Sequence, residues 1–236
     1  MNIKKITLST LALFCVIAMT SAQDMESNTP TSKFFFDTNY GYAIRTAKTA
    51  DDLGQVEMHM IKKIKKGGNL HLEAVYKIND ESSISLVFNR FGFKGEINNV
   101  TLDIDGIGER SGTWTNRGNI SFIGPKYNYQ VITPNQKGEL MAGLGFGLLS
   151  YNAENLINSS VFSEQKGGTF GFITTVSYFH FIGKNIAIGA RIGYLAGTLS
   201  KIKTTVSGNT TEVKLDDDEK ESLSQVNFNA GLTMYF

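Results

Sequence analysis

The stretch Asn185-Ile186-Ala187-Ile188-Gly189-Ala190-Arg191-Ile192-Gly193-Tyr194-Leu195-Ala196-Gly197 decides the fold. Ile186, Ile188, Ala190, Ile192, Tyr194 and Ala196 make one apolar face. Ala187, Gly189, Arg191, Gly193, Leu195 and Gly197 make a second, glycine-rich face that carries a charge. A repeat of two is the repeat of a β-strand, because successive side chains point to opposite sides. Residues 140–149 do the same, with Leu140, Ala142, Leu144, Phe146 and Leu148 set against Met141, Gly143, Gly145, Gly147 and Leu149. Working outward, eight such segments cover 34–46, 69–79, 83–93, 119–133, 139–150, 169–182, 185–199 and 222–236. The links 80–82, 134–138 and 183–184 are short, whereas 47–68, 94–118, 151–168 and 200–221 are long. Short turns at one end and long loops at the other are the organisation of an up-and-down barrel in a membrane.

The polarity of the two faces separates a membrane barrel from a soluble one, since only the former turns its apolar face outward. The faces opposite the apolar ones hold Asn69, His71, Glu73 and Lys77 in one segment, and Gln225, Asn227, Asn229, Gly231 and Thr233 in the last. They imply a polar, narrow lumen with inward charges at Arg45, Glu73, Lys77, Lys126 and Arg191. With eight strands the interior is just wide enough to be filled by side chains, so these charges are expected to pair as a plug. If the first strand runs upward, Tyr76, Tyr127, Tyr129, Tyr178 and Phe236 fall near the lower boundary, and Tyr42, Phe146 and Tyr194 near the upper one. Two aromatic bands are what interfacial rings produce.

The expected fold is therefore all-β: an eight-stranded antiparallel up-and-down transmembrane β-barrel. Ten strands are the alternative, because Val56, Met58 and Met60 also alternate and could form an extra hairpin arm. The third segment departs from the pattern. Its parity puts Arg90 on the lipid side, so that either a bulge near Asn89 or a position above the bilayer is expected there.

The ends and the composition agree with this reading. Met1-Asn2-Ile3-Lys4-Lys5, an apolar run from Ile6 to Met19, and Thr20-Ser21-Ala22 have the three parts of a secretory signal peptide. The expected domains are the signal at 1–22, a short segment at 23–33 and the barrel at 34–236. The single cysteine, Cys15, falls inside the signal and follows Phe14, so neither a disulfide nor a lipid anchor is expected. Of the 236 residues, 24 are Gly and 19% are charged, against about 25% charged in average soluble domains. The net charge of +1 offers no electrostatic footprint for nucleic acid.

The C-terminal run Val226-Asn227-Phe228-Asn229-Ala230-Gly231-Leu232-Thr233-Met234-Tyr235-Phe236 ends on an aromatic residue after alternating apolar positions. With the signal, the eight segments, Gly41-Tyr42 and Gly124-Pro125-Lys126-Tyr127, the chain resembles the small outer-membrane β-barrel family, the OmpA/OmpX-like porin-family barrels. The resemblance implies a Gram-negative outer membrane, export in unfolded form and insertion by the barrel assembly machinery. Phe228, Leu232, Met234 and Phe236 would then carry the assembly signal. The lipid surroundings, lipopolysaccharide included, are the expected partners. A monomer is expected, and the surface ligand is unspecified.

No motif of a cofactor or metal site is present, and none is expected. Asp103-Ile104-Asp105-Gly106-Ile107-Gly108-Glu109 lacks the carboxylate spacing of a calcium loop. The best hydrolase constellation is His71 and Glu73 on the inward face with Ser85 on the next strand, but inward polar residues are usual in any such barrel. Ile61-Lys62-Lys63-Ile64-Lys65-Lys66 could meet lipid phosphates, and Asp216-Asp217-Asp218-Glu219 could attract divalent cations. These basic and acidic loops lie beside each other in a closed eight-stranded ring, which predicts a salt-screened cap between them. The expected role is non-enzymatic: structural, surface contact or adhesion through the loops. The rivals are a small channel, a lipid-modifying enzyme using His71, and a soluble barrel for an apolar ligand.

Overall fold

A computed structural model of the chain describes residues 30, 32–47, 54–104, 108–206, 208–215 and 220–236. The expected signal peptide and the acidic run 216–219, with the cap it was to form, lie outside the described residues. Eight strands close into a ring: β1 (Phe34–Arg45), β2 (Lys66–Lys77), β3 (Ser82–Ile104), β4 (Gly108–Ile132), β5 (Gly138–Ile157), β6 (Ser160–Phe181), β7 (Ile186–Leu199) and, last in the chain, β11 (Gln225–Tyr235). Each is antiparallel to its neighbours, β6 pairs with β7, and β11 pairs with both β7 and β1, so the ring has no open edge. Following the ladder once around leads from Ile44 through Val226, Tyr194, Thr174, Leu144, Tyr127, Ile84 and Tyr76 down to Phe34. That stagger is what tilts the strands and closes the sheet.

The outer wall is apolar and bare. Phe170 is 76% exposed, Phe146 62% and Leu144 61%. All eight aromatic residues assigned to boundary bands stand outward, Phe228, Leu232 and Met234 stand outward on β11, and Phe236, just past its end, is exposed. Patches of this size do not face water in a monomeric soluble protein, which removes the soluble barrel.

Three expectations are corrected. Within the links 94–118 and 151–168, residues 94–104, 108–118, 151–157 and 160–168 are strand rather than loop, because β3, β4, β5 and β6 continue past the apolar belt as long hairpins. Once both faces of a strand are wet, the alternation that reveals it fades. The segment Gln55–Ile64 is a helix, α1, and not a hairpin arm. Val56, Met58 and Met60 fit period two, but Met60 and Ile64 are one helical turn apart, and both are buried. The Gly54 amide donates to Glu57 Oε2 at 3.1 Å, which caps the first turn. The fourth long loop contains a hairpin, β8 (Lys201–Val206) and β9 (Asn209–Lys214), which extends β6 outside the ring, and a two-residue strand, β10 (Glu221–Ser222), on β7. Those additions leave the ring at eight.

The bulge expected near Asn89 as one of the two readings of Arg90 is absent. Pairing runs without a break from Ser82 to Ile97 and shifts only between Ile97 and Val100, so Arg90 points outward while Phe91 and Phe93 point into the lumen.

Inside, the lumen has three layers. Phe35, Val75, Met141, Phe179, Phe181, Ala187 and Tyr235 fill the lower end. Phe91, Phe93, Ile120, Phe122, Leu149 and Leu195 belong to the upper core, where Met60 and Ile64 of α1 and Leu223 join them. Gly95 on β3 gives α1 its seat, since a Cβ there would meet Met60 and Ile64. Between the two apolar layers lies a polar one.

Candidate functional site

The middle layer is the concentration of chemistry in the molecule, and parity explains its assembly. Asp37 on β1, His71 and Glu73 on β2, Ser85 on β3, Lys126 on β4, Arg191 on β7 and Thr233 on β11 all occupy inward positions, and the register sets Asp37 beside both Glu73 and Thr233. Glu73 is the hub. Its carboxylate lies 2.9 Å from Lys126 Nζ and 2.5 Å from Arg191 Nη1, and it accepts from Ser85 Oγ at 2.6 Å. Asp37 takes the other arm of Arg191 and accepts from Thr233 Oγ1 at 2.8 Å and Asn39 Nδ2 at 2.6 Å. Lys126 also donates to Thr175 Oγ1 at 2.9 Å. Its stem crosses β5 where Gly143 and Gly145 stand, and a Cβ at either would come within 3.0 Å of it. Those glycines are the room that a narrow lumen leaves for a lysine.

Two carboxylates thus face two cations, so the layer is neutral. The sequence placed Glu73, Lys126 and Arg191 in the lumen, and the structure brings all three together. The other two inward charges pair elsewhere. Lys77 reaches Glu139 at 3.0 Å in the lower layer and lies 5.6 Å from the centre of the Phe35 ring. Arg45 pairs with Glu221 at the upper end and donates to the Ser222 carbonyl at 2.7 Å. Sequence reading missed the acids Asp37 and Glu139. The signal was available, since Asp37 shares the parity of Asn39, and Glu139 opposes Leu140.

The candidate triad is brought together, but in a geometry without a nucleophile. Ser85 gives its hydrogen bond to Glu73 and not to His71, and His71 Nε2 lies against Arg191 and 3.2 Å from Glu73. A guanidinium has only donors, so His71 Nε2 is engaged as an acceptor and is not aimed at a hydroxyl. All of these side chains are buried, with apolar layers above and below. One ligating atom each from Asp37, His71 and Glu73 lie within 4.8 Å of one another, a grouping able to hold a cation. Arg191 contacts all three residues and supplies that positive charge itself.

This architecture defines the class: a transmembrane β-barrel with an apolar wall, a filled lumen and long hairpins on one side. No family model matches the sequence, and no curated protein sequence matches it. Solved structures do. A major outer membrane protein from Thermus thermophilus superimposes with a TM-score of 0.56 at 11% identity, over 87% of this chain and 100% of that one. The outer membrane protein OprG from Pseudomonas aeruginosa gives 0.53 at 11% identity, over 89% and 99%. The chain has the fold of the small outer-membrane β-barrels, as its resemblance to them implied, and its apolar belt is the wall of a barrel that faces lipid.

Proposed function

We propose that the chain is a closed, non-enzymatic outer-membrane barrel that acts through its extracellular elements, in a structural or surface-contact role such as adhesion. The observation that carries this reading is the sealed lumen, in which each inward charge named above meets an opposite one and apolar layers close both ends. A solute would have to break buried ion pairs, and a substrate would have to reach a serine already bonded to a carboxylate. What remains open is the far side of the belt. There the β3–β4 and β5–β6 hairpins and the β8–β9 ribbon form a broad ordered sheet, with α1 packed on β3 at Gly95.

Planar bilayer recording tests the closed lumen. The pure protein is expected to give little or no steady current, and a large, stable, voltage-independent conductance would overturn the reading in favour of a channel. Overexpression with analysis of lipid A tests the absence of catalysis. A modification seen with the wild type and lost in His71→Ala would make it an enzyme. The terminal assembly signal is tested by deleting Phe236, which should impair insertion and leave export intact.

A further inference from the structure

One strand of the extracellular sheet has a free edge that nothing guards. β9 ends the strand order, and all six of its residues are exposed. At two other places where a strand outruns its neighbour, the edge is blocked. β3 continues past its last pair with β2, Phe93 with Gly67. There Lys63 Nζ of α1 donates to the Glu96 carbonyl at 2.7 Å, and the register shifts between Ile97 and Val100. On β10 the Ser222 carbonyl accepts from Arg45 Nη2 at 2.7 Å. Cationic side chains and bulges are how exposed edges are kept from pairing. Asn209-Thr210-Thr211-Glu212-Val213-Lys214 has no proline, no glycine, no bulge and no such cap among the described residues.

The backbone of that edge is aimed outward at three positions. The Leu215 amide donates to the Ser200 carbonyl at 3.0 Å, so Leu215 faces β8. Alternation along an antiparallel ladder turns Thr211 and Val213 toward β8 as well. The N–H and C=O groups of Thr210, Glu212 and Lys214 then point off the free edge. Val213 stands opposite Ile202, which packs on the upper core, so Val213 is on the inner face, where it is 43% exposed. Glu212 and Lys214 flank it on the outer face.

We propose that β9 pairs with β9 of a second copy of this chain in a facing membrane, so that two cells adhere by joining their sheets. Charge sets the register. Antiparallel pairing centred on Val213 puts Glu212 of each copy opposite Lys214 of the other and brings two exposed valines together, whereas pairing centred on Glu212 sets two carboxylates face to face. A foreign strand meets an acid and a base at fixed places and is refused unless it matches them. The membranes set the direction. β8 ascends from the top of β7 and β9 descends beside it. A two-fold axis parallel to two opposed membranes inverts the ribbon, so the two free edges meet antiparallel. Within one membrane the axis is the normal, both β9 strands descend, and the antiparallel register is lost. One short edge makes a weak bond, and many copies on each surface add their strength. This pairing rests on the surface-contact role proposed above and names its partner.

The test uses the folded protein in phosphatidylcholine vesicles of two colours, with the ribbon outward as shown by protease cleavage from outside. Joining is read as coincidence of the two colours. Wild-type vesicles are expected to join one another and not vesicles without protein. Vesicles of Glu212→Lys should fail to join one another, and so should those of Lys214→Glu, because each then faces like charges across the edge. Mixed, these two variants should join as the wild type does, since every cross-strand pair is again opposite in sign. The same exchange on β6, Glu164→Lys and Lys166→Glu, lies off the edge and should leave joining unchanged, alone or mixed. Unboiled gel mobility shows that each barrel has folded. Wild-type vesicles that do not join, or edge variants that join alone as well as mixed, would overturn the pairing. A steady channel current or a lipid A modification would overturn the closed barrel without altering vesicle joining, so the two failures are told apart.

Discussion

The same eight strands present two surfaces of opposite character. Outward, Leu144, Phe146 and Phe172 are mostly uncovered. Inward, Arg191 and Lys126 are almost wholly buried. A soluble barrel inverts this arrangement, because water is its outer solvent. Here the outer wall is uniform and non-directional, and any apolar side chain serves it. The lumen is directional, since each charge must meet a particular partner at hydrogen-bond distance. Substitutions should therefore be read by side as well as by size.

Arg191 offers the sharpest test of that contrast. It alone bridges Asp37 and Glu73, so Arg191→Met should strand buried negative charge and cost about 3–5 kcal/mol. Urea unfolding of the reconstituted barrel, followed by gel mobility, would show it. An unchanged midpoint would mean that water enters the lumen and solvates the acids. On the outer wall the comparable error is a charge facing lipid. Leu144 lies between Leu140 and Leu148 on β5, and Leu144→Lys should cost about 2–4 kcal/mol in bilayers. The same substitution should cost far less in detergent micelles, which deform around a cation more readily than a bilayer, and equal losses in both would argue against a lipid-facing position.

The lower layer gives a subtler comparison. Lys77 and Glu139 form a pair set among aromatic rings. Replacing both by Met should leave stability within about 1 kcal/mol of the wild type, whereas Glu139→Met alone should cost more by leaving Lys77 unpaired. A double-mutant cycle on the same unfolding assay separates these outcomes. The smallest effect belongs to the wet end of the barrel. Glu212 lies 3.4 Å from Lys203 on the exposed β8–β9 ribbon, and Glu212→Gln should change stability by about 0–1 kcal/mol, less at high salt. A loss as large as that of Arg191→Met would show that the ribbon is part of the folding core.

Legibility followed the physics of each region. Within the belt one face meets lipid and the other does not, so strict alternation marks the strand, as at 185–197 and 140–149. Above the belt, strand residues such as Arg110, Ser111 and Thr115 have polar neighbours on both faces, and no period remains to read. In 55–61 two periods coincide, and only the depth of Ile64 against Gly95 distinguishes helix from strand.

By itself the sequence determined the fold class and, within each belt strand, which residues share a face. Both are local, because parity along one strand sets them. The tertiary structure alone decided the partners. That Arg191 meets Asp37 and Glu73, and that Lys126 shares Glu73 with it, depends on the stagger of the closed ring, which carries Ile44 round to Phe34. It also decided that Ser85 bonds to Glu73 and leaves His71 without a nucleophile, since hydrogen bonds across a lumen are fixed by closure and not by spacing along the chain.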